Sequence, residues 1–356
     1  MVYCFFPYSR NLFRPAIGEK RLLVAVLAAA VLLVGCGGPS STVNFFAPVT
    51  PVTPPAPTIN TAVTAKNIYS IDLANQTVDV YAADLNGTAS PTSSYASGAL
   101  AVTGDSAGNI YTGTYSATTA GVDVYAPGAV TPSRTITVAT AAANAPQIST
   151  LGVDSVGNLY VAISGTIVVY GPGATGSAAP IRTLAGALTM LASAMATQMA
   201  FDASDNLFVA TGGGYKGSQI IEFAANASGN VAPTVITSAD YFPSGVALDT
   251  AGNIYIVQGA SPSSYNGTYV PAINVFPKGS VVGVAPSRTI SGSNIGIAVY
   301  TNQIFVDSGG NIFVGATLNG QTDFLVYSAT ATGNVAPAST LVRSRGSTTD
   351  SQFYVK

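Results

Sequence analysis

Apolar and polar positions alternate in short runs over most of this chain. The stretch SGVALD (Ser244–Asp249) is apolar at every second position and ends in Asp, and a Gly-Asn turn leads into a second such run, NIYIV (253–257). A period of two predicts half-buried β-strands, and the pair reads as a hairpin. The same phrase returns as DSAGNIYTG from Asp105, DSVGNLYVA from Asp154, DASDNLFVA from Asp202 and DSGGNIFVG from Asp307. A weaker echo, KNIYSI, starts at Lys66. Aligned on Asn67, Asn109, Asn158, Asn206, Asn253 and Asn311, the spacings are 42, 49, 48, 47 and 58 residues. A near-constant period of this size marks a repeat architecture.

Each unit keeps one order of pieces. After the hairpin comes a variable loop and a third strand ending in an aromatic: VDVYA from Val78 and Val122, TIVVYG from Thr166, QIIEFA from Gln219, INVFP from Ile273, FLVYS from Phe324. A Gly- and Pro-rich loop leads to a fourth short strand, as in SRTIT (133–137), IRTLA (181–185) or SRTIS (287–291). Four short antiparallel strands per unit predict an all-β, six-bladed β-propeller. The D-x-x-G-N-[IL]-[YF]-V phrase, V-Y-[AG]-P-G at 124–128 and 169–173, and P-S-R-T-I at 132–136 and 286–290 resemble NHL-repeat-like propellers over about residues 60–355. That resemblance implies a fold and no particular activity.

The recurring phrase is then the turn between the first and second strands of a blade. Its Asp accepts backbone N–H groups and its Gly supplies positive φ. Asp205 replaces that Gly in one unit. Calcium binding is the alternative for these aspartates, but each turn offers few acidic ligands and lacks calcium-loop spacing. Ring closure has two candidates for the first blade's inner strand: QFYV (352–355), which lies where an inner strand is due, and INTAV (59–63), four residues before Asn67. The run AGALTMLASAMATQMAF (185–201) is the one stretch of the body that could form a helix.

The N-terminus departs from this pattern. Arg10, Arg14, Lys20 and Arg21 precede the apolar run Leu22–Gly35, which is too short to span a bilayer but suits a signal peptide. The run ends in LVGC, which resembles the bacterial lipobox. The resemblance implies cleavage before Cys36 and lipid attachment to its sulfur. Residues 1–35 are read as a lipoprotein signal peptide, 36–58 as a tether rich in Pro, Thr and Ser, and 59–356 as the propeller. At about 3 Å per residue the tether would reach about 60–70 Å. With Cys4 removed and Cys36 lipidated, the mature body has neither free thiol nor disulfide. Without the four cations and Glu19, 9 basic residues face 14 acidic ones, a net charge of −5, so nucleic acid is not an expected partner.

Candidate chemistry is sparse. The chain has no histidine, which removes Ser-His-Asp and Cys-His sites and most zinc sites. That also counts against virginiamycin B lyase, a propeller family that uses a catalytic histidine. Gluconolactonase-like propellers hold a divalent metal with Glu and Asn/Asp in the channel, whereas the body here has one glutamate, Glu222, inside a third strand. GGGYKGS (212–218) lacks phosphate-loop spacing. No catalytic residue, metal or cofactor is expected.

The loops between second and third strands, and between blades, vary in length and carry Tyr115, Tyr215, Tyr241, Tyr265 and Tyr269. Such rings suit stacking on a glycan or contact with an envelope protein, or they cover the blade tops. Arg134, Arg182 and Arg288 recur at one position of the outermost strand, which favours a repeated structural contact such as edge protection. The expectation is a monomeric, non-catalytic binding or scaffolding module, lipid-anchored at the bacterial cell envelope, in the outer membrane if the cell is Gram-negative. A lyase or hydrolase acting on a glycan or lactone is the alternative, and a purely structural envelope role is a third.

Overall fold

The computed structural model describes residues 56–96, 98–115, 119–138, 147–192, 195–212, 218–237, 241, 243–258, 270–297, 301–318, 321–345 and 352–356. The expected signal peptide, Cys36 and nearly all of the tether lie outside these. The described residues form six antiparallel blades in a propeller arrangement. In the second blade the strands are Ala99–Gly104, Ile110–Tyr115, Ala120–Tyr125 and Arg134–Val138, from the axis outwards. Inner strands Ile148–Val153, Ala196–Phe201, Pro243–Leu248 and Thr301–Val306 open the third to sixth blades. Blades pack face to face, so their middle strands are buried on both sides; all five residues of Leu159–Ile163 are buried. Apolar clusters occupy the seams. One joins Val122 and Ile136 to Leu151 and Val161, and another joins Ile273 and Ile290 to Ile304 and Val314.

The first blade closes through the C-terminal segment. Phe353–Val355 pairs with Asn67–Asp72 in the register Ser70↔Phe353, Tyr69↔Tyr354 and Ile68↔Val355. Phe353 is 1% exposed and its ring lies 4.9 Å from Phe305 and 5.0 Å from Phe324. The other candidate segment instead caps the sixth blade. Thr58–Ile59 pairs with Leu85–Ala89, and Leu85–Ala89 runs parallel to the sixth blade's outer strand, Ser339–Arg343. That parallel addition has no counterpart in the sequence reading.

The run 185–201 is not a helix. It makes one 3₁₀ turn, Ala187–Thr189, ended by Met190 at φ 62°, and Ala196–Phe201 is then the fourth blade's inner strand. Alanine and methionine favour helix locally, but two flanking blades bury this segment as a strand, and packing overrides propensity.

The repeated Asp makes the turn, as expected. Asp105 Oδ1 accepts the Asn109 N–H at 2.9 Å, and the Asn109 amide donates to Oδ2 at 2.7 Å. Asp154–Asn158, Asp202–Asn206, Asp249–Asn253 and Asp307–Asn311 repeat this pair.

A further layer ties the turn to the blade's outer edge. The hydroxyls of Tyr111, Tyr160 and Tyr255 donate to the Asp of their own turn at 3.0, 3.3 and 3.1 Å. Arg134, Arg182 and Arg288 lie over these rings, 5.9, 5.7 and 5.7 Å from the centroids, and donate to the same hydroxyls. Each Arg sits two strands out from its Tyr, across one Val: Tyr111↔Val124↔Arg134, Tyr160↔Val169↔Arg182, Tyr255↔Val275↔Arg288. Each also donates to the following blade, at Ala174 O, Asn226 Oδ1, and Ala329 O and Ala331 O respectively. The fourth and sixth blades have Phe208 and Phe313 at the Tyr position, and Thr234 and Ser339 at the Arg position. Where the ring has no hydroxyl, the outer-strand position in register with it has no Arg. These arginines are therefore seam contacts as well as edge residues.

Candidate functional site

The inner strands present one unpaired backbone edge to the propeller axis, and those groups need partners. Glutamine amides, which carry both donor and acceptor, supply them. Gln198 is 3% exposed. Its Nε2 donates to Ile304 O at 2.7 Å, while Oε1 accepts the Ile304 and Val246 N–H groups at 3.0 and 3.1 Å. Gln303 Oε1 accepts the Phe353 N–H at 2.7 Å, and its Nε2 donates to Gln352 Oε1 at 2.7 Å. Bulges at the starts of these strands, between Ala196 and Gln198 and between Thr301 and Ile304, lie beside both glutamines. The fourth, fifth, sixth and first blades are thereby cross-linked at the axis.

Two cavities flank this plug. One, of about 370 Å³, is a funnel shared by all six blades on the side of the Asp-Asn turns; Met199, Phe201, Phe305, Tyr354 and Lys356 line it. Its carboxylates are engaged. Asp105 and Asp154 hold their own turns, and Lys356 Nζ donates to Asp105 O at 2.9 Å. The other cavity, also about 370 Å³, opens at the opposite end of the third and fourth blades. Gln147, Ser149, Ser164, Leu191 and the exposed Met195 line it.

The sequence-predicted site residues divide accordingly. Tyr115 is the last residue of the second blade's second strand, paired with Ala120, at the end of the blades that bears the second cavity. Tyr241 precedes the inner strand Pro243–Leu248, and its half-buried ring stands edge-on to Phe276, 5.3 Å between centroids. It therefore contributes packing to the seam between the fourth and fifth blades. Tyr215, Tyr265 and Tyr269 lie outside the described residues. Of the five, only Tyr115 and Tyr241 lie among the described residues. The glutamine plug and the funnel were not found from sequence; Gln198 and Gln303 stand outside the repeated phrases, and only their places on inner strands mark them.

Asp105, Asp154, Asp202, Asp249 and Asp307 are tied to their own turns. Among the described residues no three His, Cys, Asp or Glu side chains converge. Glu222 is half-buried on the fourth blade's third strand, between Phe208 and Thr234, away from the axis; burial first, then Asp202, raises its pKa. Burial, followed by Asp105, pushes the Tyr111 hydroxyl up to about 12, so it stays protonated and donates to Asp105.

No family model and no curated protein matches the chain. Solved structures do resemble its fold. A protein of unknown function from Bacteroides caccae superposes with a TM-score of 0.54, covering 82% of this chain and 99% of its own at 12% identity. A protein from Lactobacillus plantarum gives 0.50, covering 82% and 100% at 11% identity. At such identities the likeness carries the propeller fold and nothing about ligands.

Proposed function

We propose that this chain is a non-catalytic binding module of the bacterial cell envelope, an NHL-repeat-like propeller held to a membrane through lipid on Cys36. Its ligand, a glycan or an envelope protein, sits at the end of the blades where second strands pass to third. The observation that carries this reading is the glutamine plug. Among the described residues the axis, where a propeller's inner strands converge, is occupied by amides bonded to backbone and to one another rather than by free acids or bases. Recognition then falls to the ends of the blades. The second strands Leu207–Thr211 and Ile254–Gln258, which precede Tyr215, Tyr265 and Tyr269 in sequence, end on the side that bears the cavity at Leu191 and Met195. The LVGC sequence at 33–36 supports the anchor.

A glycan array and an envelope pull-down test this reading. Any ligand retained should bind about tenfold or more weakly to Tyr265→Ala/Tyr269→Ala and to Met195→Glu. Loss instead in Phe201→Glu, with those variants unaffected, would move the site to the axial funnel. Cys36→Ala should abolish lipid labelling; an unlabelled wild type would remove the anchor.

A further inference from the structure

The seam between the first and second blades lacks what its neighbours have. At the seams after the second, third and fifth blades, the next blade's outer loop bonds back to the preceding outer strand through Gly176, Gly229 and Gly333. After the fourth blade, Val282 N–H donates to Val235 O, and after the sixth the parallel strand Leu85–Ala89 does this work. Between the first and second blades no such outer backbone bond exists among the described residues. The loop responsible is short: 9 positions separate Tyr125 from Arg134, against 12 from Tyr170 to Arg182 and 12 from Phe276 to Arg288.

The side chains differ at the same place. The ladder Tyr69↔Val80↔Ser93 puts Ser93 where the other blades with a Tyr have Arg134, Arg182 and Arg288. A cavity of about 250 Å³ lies there, lined by Tyr69, Val80, Ser93, Tyr95, Tyr125 and Ala129. Tyr69 and Val80 are the counterparts of the ring and Val beneath each Arg, and Ala129 stands where Ala174 accepts a bond from Arg134. Tyr95 occupies a position that is Ile136, Leu184, Ile290 or Leu341 elsewhere. It is 7% exposed, and its hydroxyl has no hydrogen-bond partner among the described residues. A buried unpaired hydroxyl is unfavourable and needs a reason.

We propose that this seam is the docking place of a second polypeptide, which inserts an arginine side chain into the slot. The protein supplies the template itself. Three equivalent slots are each filled by a guanidinium that lies over a Tyr ring and donates to its hydroxyl and to the next blade. In the first blade Lys356 replaces the turn Asp, so the acceptors for an incoming guanidinium are neutral: the Tyr95 and Tyr69 hydroxyls and the turn carbonyls at 126–129. A planar, weakly hydrated guanidinium suits such an aromatic slot better than an ammonium does.

The test titrates the full chain with N-acetyl-argininamide, read by tyrosine fluorescence, since the sequence has no Trp. Saturable binding is expected, about tenfold tighter than for the neutral citrulline analogue. Ser93→Arg fills the slot from within; it should abolish binding and raise the melting temperature by about 2 °C. Equal affinity for both probes, absence of binding by the wild type, or binding retained in Ser93→Arg would overturn the proposal. Should that variant fail to fold, Tyr95→Phe decides. It keeps the packing and removes the unpaired hydroxyl, so unchanged affinity in it also refutes the slot.

Discussion

Asp205, in the turn of the fourth blade, accepts the Ser155 main-chain N–H at 2.9 Å and the Ser155 hydroxyl at 2.7 Å, which ties that turn to the turn of the third blade. The residue stands at φ 60°, where the other four turns have Gly108, Gly157, Gly252 and Gly310. An L-residue in that region is strained by about 1 kcal/mol, and the two charge-assisted bonds offset the strain. Asp205→Gly, which loses the bonds and the strain together, should stay within about 1 kcal/mol of wild type in denaturant unfolding. Asp205→Ala loses the bonds and keeps the strain, and should fall by about 2 kcal/mol. Equal stability of the two variants would show that the positive φ is no burden here.

The Arg–Tyr–Asp chain predicts a residue-specific effect at Arg288. Its guanidinium donates to Ala329 O at 2.6 Å, Ala331 O at 2.8 Å and Tyr255 Oη at 3.3 Å. Arg288→Ala should lower stability by about 2–3 kcal/mol. Arg288→Lys should recover less than half, because an ammonium lacks the planar fork. Thermal melting of the two variants checks the order.

Closure through Phe353–Val355 makes the two chain ends unequal. Phe353→Ala should cost about 3–5 kcal/mol, as for other fully buried aromatics. Ile59 is 65% exposed, and Ile59→Ala should move stability by no more than about 0.5 kcal/mol. Comparable losses in both would mean that the N-terminal segment shares the closure.

Two carboxylates should respond oppositely to pH. Burial alone would raise the Asp79 pKa, but its bonds to Arg345 first, at 2.6 Å, and to Ser94 and Thr77 hold it below 3.8. Its contribution to stability is present above that value and is lost as pH falls through the folded pKa. Asp79→Asn should therefore flatten this part of the acid limb of a melting-temperature profile. Glu222 is raised above 4.5, so the folded state loses stability as pH climbs through its folded pKa. Glu222→Gln should melt higher at pH 7 and match wild type below about pH 4.5.

These relationships were unevenly legible in the sequence. The Asp-Asn turn is local, five residues from Asp to Asn, so its chemistry shows in the repeated phrase. Arg134, Arg182 and Arg288 were visible as a recurrence, but their partners sit two strands away. The link becomes apparent only on noticing that Tyr111, Tyr160 and Tyr255 accompany them, while Phe208 and Phe313 accompany Thr234 and Ser339. Strand pairing between Asn67–Asp72 and Phe353–Val355 spans most of the chain and leaves no local mark, so two segments competed for one place. Leu85–Ala89 reads as loop because Asn86 and Gly87 punctuate it, and only the neighbouring blade makes it a strand. Of the tyrosines singled out for binding, Tyr241 packs against Phe276 in a seam, a long-range contact that leaves no local mark in the sequence.

The first blade's strand exchange also sets a timetable for synthesis. Three of its strands lie between residues 67 and 96, yet the fourth is residues 353–355. A chain leaving the ribosome N-terminus first has made five complete blades before it holds the strand that shuts the ring. Throughout that interval Asn67–Asp72 offers an unpaired edge to any extended segment nearby, including a neighbouring nascent chain. A product that stops short of Phe353 keeps that edge for its lifetime. Loss of these three residues would therefore open the ring to association through that edge rather than merely shorten the chain.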